Sequence, residues 1–320
     1  MRIAIVFPGQ GTQRPGMGIA WKGHRAWSVV HAAEQAIGAA LAPLLLDASS
    51  DDLAATREAQ LAVLLTSLIA WDAIEATLGD SDHEIVGFAG HSLGQVTALI
   101  AARTLALDDG VKFAAVRAGA TQREASQHPG RMAAFVGATL EHAETACARA
   151  GDAWIANDNA PGQVVVAGTH EGVASAIEHG KALGIRKALA LAVGGAFHTP
   201  LMQGAVQTLD DSLAAVRFQD SGYCVVSNAD AQPYCDGSGW RDRLATHPTQ
   251  RVLWRASMET LTRDLDADAL LEVGYGTMIA GVAKRTVPGT PLFSISTPAT
   301  ADAALASLDA HETQLREGTR

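Results

Sequence analysis

The 320-residue sequence contains little that could tie it together covalently or anchor it in a membrane. Its three cysteines, Cys147, Cys224 and Cys235, are scattered and odd in number, with no C-x-x-C or Cys/His ligand spacing. Neither a disulfide frame nor a zinc site is suggested, and free thiols in a reducing compartment are expected. No run approaches the ~20 apolar residues that a membrane-spanning helix requires. The opening run Ile3 to Phe7 is too short for the core of a signal peptide, and Pro8 and Gly9 end it. Basic residues are outnumbered, with 24 Lys and Arg against 34 Asp and Glu, so the net charge is −10. Phosphate binding needs clustered cations, which argues against a nucleic-acid surface. Aromatic residues make up only 5%. What remains is 48% hydrophobic and favours Ala and Gly. Such a chain can bury a large core. It is expected in the cytoplasm, with neither nucleic acid nor membrane as a partner and no resident metal.

Ile3 to Phe7 reads as a buried strand closed by Pro-Gly. From Ala59 to Leu78, the residues Leu61, Leu64, Leu65, Leu68, Ile69 and Trp71 recur at helical intervals. Glu84 to Gly90 is a second buried-strand candidate, and Leu93, Val96, Leu99 and Ile100 then mark a helix. Strands alternating with helices predict an α/β layer structure with a mainly parallel sheet. The middle of the chain has a different order. Strand-like Met132–Val136, Trp154–Ala156, Val164–Ala167 and Lys187–Val193 alternate with helical Glu141–Ala150 and Val173–Leu183. That βαββαβ order is ferredoxin-like. It predicts a small subdomain over 125–197 inserted in a larger body made of 1–124 and 198–320. Further strands are expected at Cys224–Ser227 and Leu270–Gly274, and an Ala-rich helix with a polar tail at the end.

Gly90-His91-Ser92-Leu93-Gly94 fits the G-x-S-x-G nucleophile elbow. A sharp strand-to-helix turn needs small flanking residues, pushes the serine hydroxyl out of the sheet, and aims the next amide at the same place. The plainer reading is a glycine-rich turn with Ser92 as a helix cap. A serine needs a base, and there are eleven histidines. His198 stands out at a strand-to-helix junction, Gly194-Gly-Ala-Phe197-His198-Thr-Pro. Spacing identifies no acidic partner for it.

Six segments occur in order: Phe7-Pro-Gly-Gln10-Gly-Thr-Gln13, Gly90-His-Ser-Leu-Gly94, Val116-Arg117, Asn157-Asp-Asn159-Ala-Pro-Gly-Gln163, Phe197-His198 and Glu272-Val-Gly-Tyr-Gly276. Together, over residues 3 to about 285, they resemble the malonyl-CoA:acyl carrier protein transacylase family. That family includes discrete transacylases and polyketide-synthase acyltransferase domains. The resemblance implies a hydrolase-like α/β body carrying a ferredoxin-like insert. It also implies ping-pong transfer of a malonyl group from malonyl-CoA to the phosphopantetheine thiol of an acyl carrier protein, with no permanently bound cofactor. By the same resemblance Ser92 is the nucleophile and His198 the general base. The amides of Gln10 and Leu93 form the oxyanion hole, and Arg117 holds the malonyl carboxylate. The carbonyl of Leu253 orients His198. His91 and Gln163 line the pocket, while Asn157 and Asn159 hold the subdomain loop. Phe197 resembles the malonyl-selective form of its motif, against a methylmalonyl-selective form with Ser.

The sequence departs from the family pattern twice. Gln95 stands where the motif usually has Glu, and the segment Arg251-Val-Leu253-Trp254 lacks the usual Pro before Val. Carrier proteins are acidic, so docking on this acidic chain calls for a local basic patch. Arg123, Arg131, Lys181, Arg186, Lys187, Lys284 and Arg285 are the candidates. The competing readings are a serine hydrolase or thioesterase, for which the elbow serves equally well, a loader acting in trans on a polyketide synthase, and a non-catalytic docking module.

Overall fold

The computed structural model describes residues 1–318; the last two residues, in the expected polar tail, lie outside the described residues. The strands are β1 (Arg2–Phe7), β2 (Glu84–Gly90), β3 (Gly130–Ala138), β4 (Ala153–Ala160), β5 (Gly162–Thr169), β6 (Lys187–Ala190), β7 (Val225–Val226), β8 (Pro233–Tyr234), β9 (Ala269–Val273) and β10 (Leu292–Ile295). They form two sheets, ordered β10-β9-β1-β2-β7-β8 and β4-β5-β3-β6.

The larger sheet is parallel except for β8, which turns back on β7. Successive side chains of a strand face opposite ways, and β1 is apolar on both faces. Ile3, Ile5 and Phe7 pack with Leu61, Leu64, Leu65 and Leu68 of the helix Thr56–Gly79. Ala4 and Val6 pack on the other side with Trp254, Met258 and Ile279. The sheet is therefore the middle of three layers. By length and composition, Thr56–Gly79 is apolar enough to cross a membrane, contrary to the sequence reading, but most of it is buried inside the protein. A helix apolar all round is what the middle of a large core requires.

The smaller sheet is antiparallel throughout and has the ferredoxin-like order. One face, with Phe135, Val164 and Val166, packs on Ala143, Ala146, Val173 and Ala176 of its two helices. The other face, with Met132, Ala134, Val165 and Ala167, meets Ala196 and the partly buried Leu191, Val193 and Phe197. A cleft lies between this second face and the body.

Three expectations are corrected. β4 runs on through Asn157–Asn159, where a loop was predicted, because Asn157 and Asp158 stay paired with Val165 and Val164 of β5, while on the other edge Asp158 N donates to Val252 O at 2.9 Å and Val252 N to Ala156 O at 2.8 Å. β6 stops at Ala190, short of Val193. Cys224 and Cys235 are disulfide-bonded across the β7–β8 hairpin instead of free. Antiparallel pairing brings the two together, a proximity that spacing alone does not reveal. Cys147 is free and buried, and burial pushes its thiol up to about 12.

Candidate active site

β2 ends at Gly90, and the helix Gly94–Ala101 starts four residues later. A Cβ on Gly90 would lie 1.8 Å from Gly94 O, and one on Gly94 would lie 2.4 Å from Phe7 O. Only glycine allows strand and helix to approach this closely. Between them Ser92 has φ 51°, a left-handed conformation rare for a side chain other than glycine. The turn therefore presents Ser92 Oγ to the cleft, as the G-x-S-x-G spacing predicts.

His198, also at positive φ (62°), is 4% exposed and lies 106 residues away in sequence. Its Nε2 is 2.7 Å from Ser92 Oγ. On the other side of the ring, Nδ1 faces two backbone carbonyls, Gln250 O at 3.0 Å and His247 O at 3.2 Å. Carbonyl oxygens only accept, so Nδ1 carries the proton and Nε2 offers its lone pair to the serine hydroxyl. Burial first, then the charge of Arg117, push His198 down to about 3. The imidazole is neutral at pH 7 and can take a proton.

The histidine-orienting group is therefore not Leu253. The carbonyl of Leu253 accepts from Ser257 N and Ser257 Oγ, both at 2.9 Å, because it points along the first turn of the helix Trp254–Glu259. The two carbonyls that face the ring, His247 and Gln250, lie just before the segment Arg251–Trp254 that the resemblance singled out.

Arg117, on the helix Leu107–Gln127, is 4% exposed. Nη1 donates to Gln60 Oε1, Nη2 donates to Ser92 Oγ at 3.3 Å, and buried Nε has no partner. Among the described residues no carboxylate lies within ion-pair distance of it. Burial lowers its pKa to about 10, which still leaves it charged at neutral pH. A buried cation with a free donor beside a serine hydroxyl can receive an anionic group. Gln60, which the sequence reading did not single out, is 1% exposed and fixes the guanidinium.

Gln10 and Leu93 line the same cleft. Among the described residues their amides have no protein acceptor, so both are available to an oxyanion. His91 lines it too, and its Nε2 meets Asn159 Oδ1 at 2.9 Å and Asn157 Nδ2 at 3.3 Å. The Nε2–H of His91 donates to Asn159 Oδ1, so Asn159 holds His91 and not a loop as expected, and Asn157 Nδ2 only packs beside the same nitrogen. Phe197 forms part of the apolar wall with Met132, Leu191 and Val193. Gln163 is not in that wall. It sits at the opening end of β5, where its Oε1 is taken by Arg285 Nη2. Among the described residues no group of His, Cys, Asp or Glu is arranged to hold a metal ion.

Residues 4–279 match the family model described as acyl transferase domain. The malonyl CoA-acyl carrier protein transacylase of Bacillus subtilis is 29% identical over 313 residues, covering 96% of this chain and 97% of that protein. Among solved structures, a type II PKS acyl-carrier protein in complex with its malonyl-transacylase superposes with TM-score 0.90 at 28% identity, over 96% of this chain and 100% of the other. The acyl-carrier-protein S-malonyltransferase from Burkholderia pseudomallei 1710b superposes with TM-score 0.89 at 32% identity, over 96% and 100%.

Proposed function

The chain belongs to the acyl transferase domain family, and on that premise we propose that it moves a malonyl group from coenzyme A to the phosphopantetheine thiol of an acyl carrier protein through an acyl-Ser92 intermediate. Ser92 Oγ attacks the thioester carbonyl while its proton passes to His198 Nε2. The oxyanion is taken by the amides of Gln10 and Leu93, donors of a kind each worth about 3–4 kcal/mol to the transition state. Collapse of the adduct breaks the C–S bond, and His198 returns the proton to the departing coenzyme A thiolate. The carrier's thiol then gives its proton to His198, attacks the acyl-serine carbonyl, and Ser92 regains its proton as it leaves. These steps use the chain's own side chains and amides.

The observation that carries the substrate assignment is the buried guanidinium of Arg117, which has no carboxylate partner among the described residues and stands 3.3 Å from Ser92 Oγ. The free carboxylate of a malonyl group supplies the missing anion, and acetyl has none to offer. Phe197 limits room beside the reacting carbon, which favours malonyl over methylmalonyl. We take residues 125–197 as the inserted unit and 1–124 with 198–320 as the catalytic body, since β3 to β6 fall between Gly130 and Ala190. Of the basic docking candidates, Lys181 is paired with Glu178 and Arg285 is tied to Gln163. Arg123, Arg131, Arg186, Lys187 and Lys284 have no carboxylate partner among the described residues and are the better candidates for an acidic carrier protein. A coenzyme A thioester and a carrier protein as substrates fit a cytoplasmic enzyme.

The test is intact-mass measurement after mixing with malonyl-CoA or acetyl-CoA. Gain of one malonyl group, absent in Ser92→Ala and with little acetyl loading, supports the reading. Steady release of malonate and coenzyme A without an adduct moves the protein to the hydrolases.

A further inference from the structure

We propose that Asn228 is a positioning residue for acyl transfer, locking the serine elbow to the segment that aims His198. The assignment rests on the transferase reading above.

Asn228 is 0% exposed and does not line the cleft, so it has no access to substrate. It makes four hydrogen bonds. Its Oδ1 accepts from Ser92 N at 2.8 Å, and its Nδ2 donates to Gly90 O at 2.9 Å. Its own amide donates to Gln95 Oε1 at 2.6 Å, and its carbonyl accepts from Leu253 N at 2.8 Å. The first three grip the elbow before, at and after the nucleophile. The fourth reaches the segment containing Gln250, whose carbonyl faces His198 Nδ1. The two partners of the 2.7 Å Ser92–His198 contact are therefore registered against each other through one residue.

The chemistry explains why the residue is asparagine. Ser92 precedes the helix Gly94–Ala101, so its amide has no helical acceptor and needs one from elsewhere. The Gly90 carbonyl beside it needs a donor. A carboxamide supplies both in one plane, and the two neighbours force its orientation. An ionised Asp lacks the donor, and an aliphatic side chain lacks both groups. The same geometry accounts for Gln95. The Asn228 amide asks only for an acceptor there, which a carboxamide supplies as well as the carboxylate more usual in this motif.

The experiment measures single-turnover malonyl loading of Ser92 by quenched intact mass, normalised to the fraction of sites that load, from about pH 6 to about pH 9. Wild type, Asn228→Ala and Asn228→Asp are compared. In Asn228→Ala the rate per competent site is expected to fall about 100-fold, the usual cost of misplacing reacting groups by an ångström. The half-saturating malonyl-CoA concentration should stay unchanged, because no substrate contact is lost. In Asn228→Asp only the protonated carboxyl can donate to Gly90 O while accepting from Ser92 N. Its rate should approach wild type at low pH and fall as pH rises, a limb that wild type lacks. An unslowed rate per competent site in Asn228→Ala overturns the assignment. If that variant does not fold, a wild-type pH profile in Asn228→Asp overturns it. Wild type that takes up no malonyl group sinks the transferase reading and this assignment together, whereas normal wild-type loading with an unslowed Asn228→Ala sinks this assignment alone.

Discussion

Ser92 Oγ and His198 Nε2 stand 2.7 Å apart, and both residues hold backbone conformations at positive φ, 51° and 62°. Each such conformation costs on the order of 1–3 kcal/mol and persists only where its surroundings impose it. Glycines pressed together impose it at the elbow. At His198 the ring is held by two carbonyls behind it and the serine in front.

Acid should destabilise the fold before it protonates the base. Burial, reinforced by Arg117, holds His198 at about 3, so the acid limb of kcat/KM for malonyl loading is expected well below the ordinary histidine value of 6.5. A carboxylate paired with Arg117 removes part of that cationic field, so the limb in kcat should lie higher than the limb in kcat/KM. A histidine with a depressed folded value has its full stabilising effect above its unfolded value and loses it as pH falls. His91, His198 and His247 are all lowered by burial. The melting temperature should therefore decline as pH drops below about 6.5. An acid limb at 6.5, with stability flat through that range, would contradict this.

Arg117→Ala should cost about 3–5 kcal/mol in malonyl kcat/KM, the range for breaking a buried charge pair. Acetyl loading should be nearly unchanged, so selectivity collapses. Gln60→Ala leaves the guanidinium in place but unbraced, and should raise KM for malonyl-CoA by about tenfold, the effect of losing one hydrogen bond to a charged group. Parallel kinetics on the two thioesters provide the check, and equal losses on both would remove Arg117 from its role.

Gly90→Ala should fold poorly. The added Cβ would sit 1.8 Å from Gly94 O, and the neighbour is backbone that cannot rotate aside. A destabilisation above about 4 kcal/mol is expected, in the class of severe core defects. Gly281→Ala, where a Cβ meets nothing within 4 Å, serves as the control and should be neutral or mildly stabilising. Denaturant midpoints of the two variants decide the matter.

Reducing the Cys224–Cys235 bond frees a hairpin whose ends are 11 residues apart in sequence. Loop-closure entropy for that span predicts a loss of about 3 kcal/mol. The drop in melting temperature with reductant should be absent in Cys224→Ser/Cys235→Ser, which should melt at the reduced protein's temperature. No response to reductant in the oxidised protein would show that the bond contributes nothing to stability.

The elements legible in the sequence were those whose signal is local. β2 was read at Glu84–Gly90 as observed, because a short apolar run ends in glycines. The core helix was placed within a few residues, because its leucines recur at helical spacing. β8 and β10 escaped, one only two residues long and starting with proline, the other half-buried and weakly patterned. β4 was cut short at Asn157 because asparagines read as loop formers, whereas the strand there pairs with β5 on one edge and is bridged on the other by Val252, nearly a hundred residues on.

The sequence by itself determined the chemical inventory: a serine between glycines, a histidine at a strand-to-helix junction, an arginine on a helix and a glutamine after Pro-Gly. Side-chain identity and short-range sterics carry that information. Which groups finish the site was decided only by the tertiary structure. The carbonyls of Gln250 and His247 fix the tautomer of His198, the side chain of Gln60 steadies Arg117, and Asn159 holds His91. A backbone carbonyl is the same group at every position. What makes one an acceptor for a catalytic ring is where the chain places it, and that placement comes from packing between segments far apart in sequence.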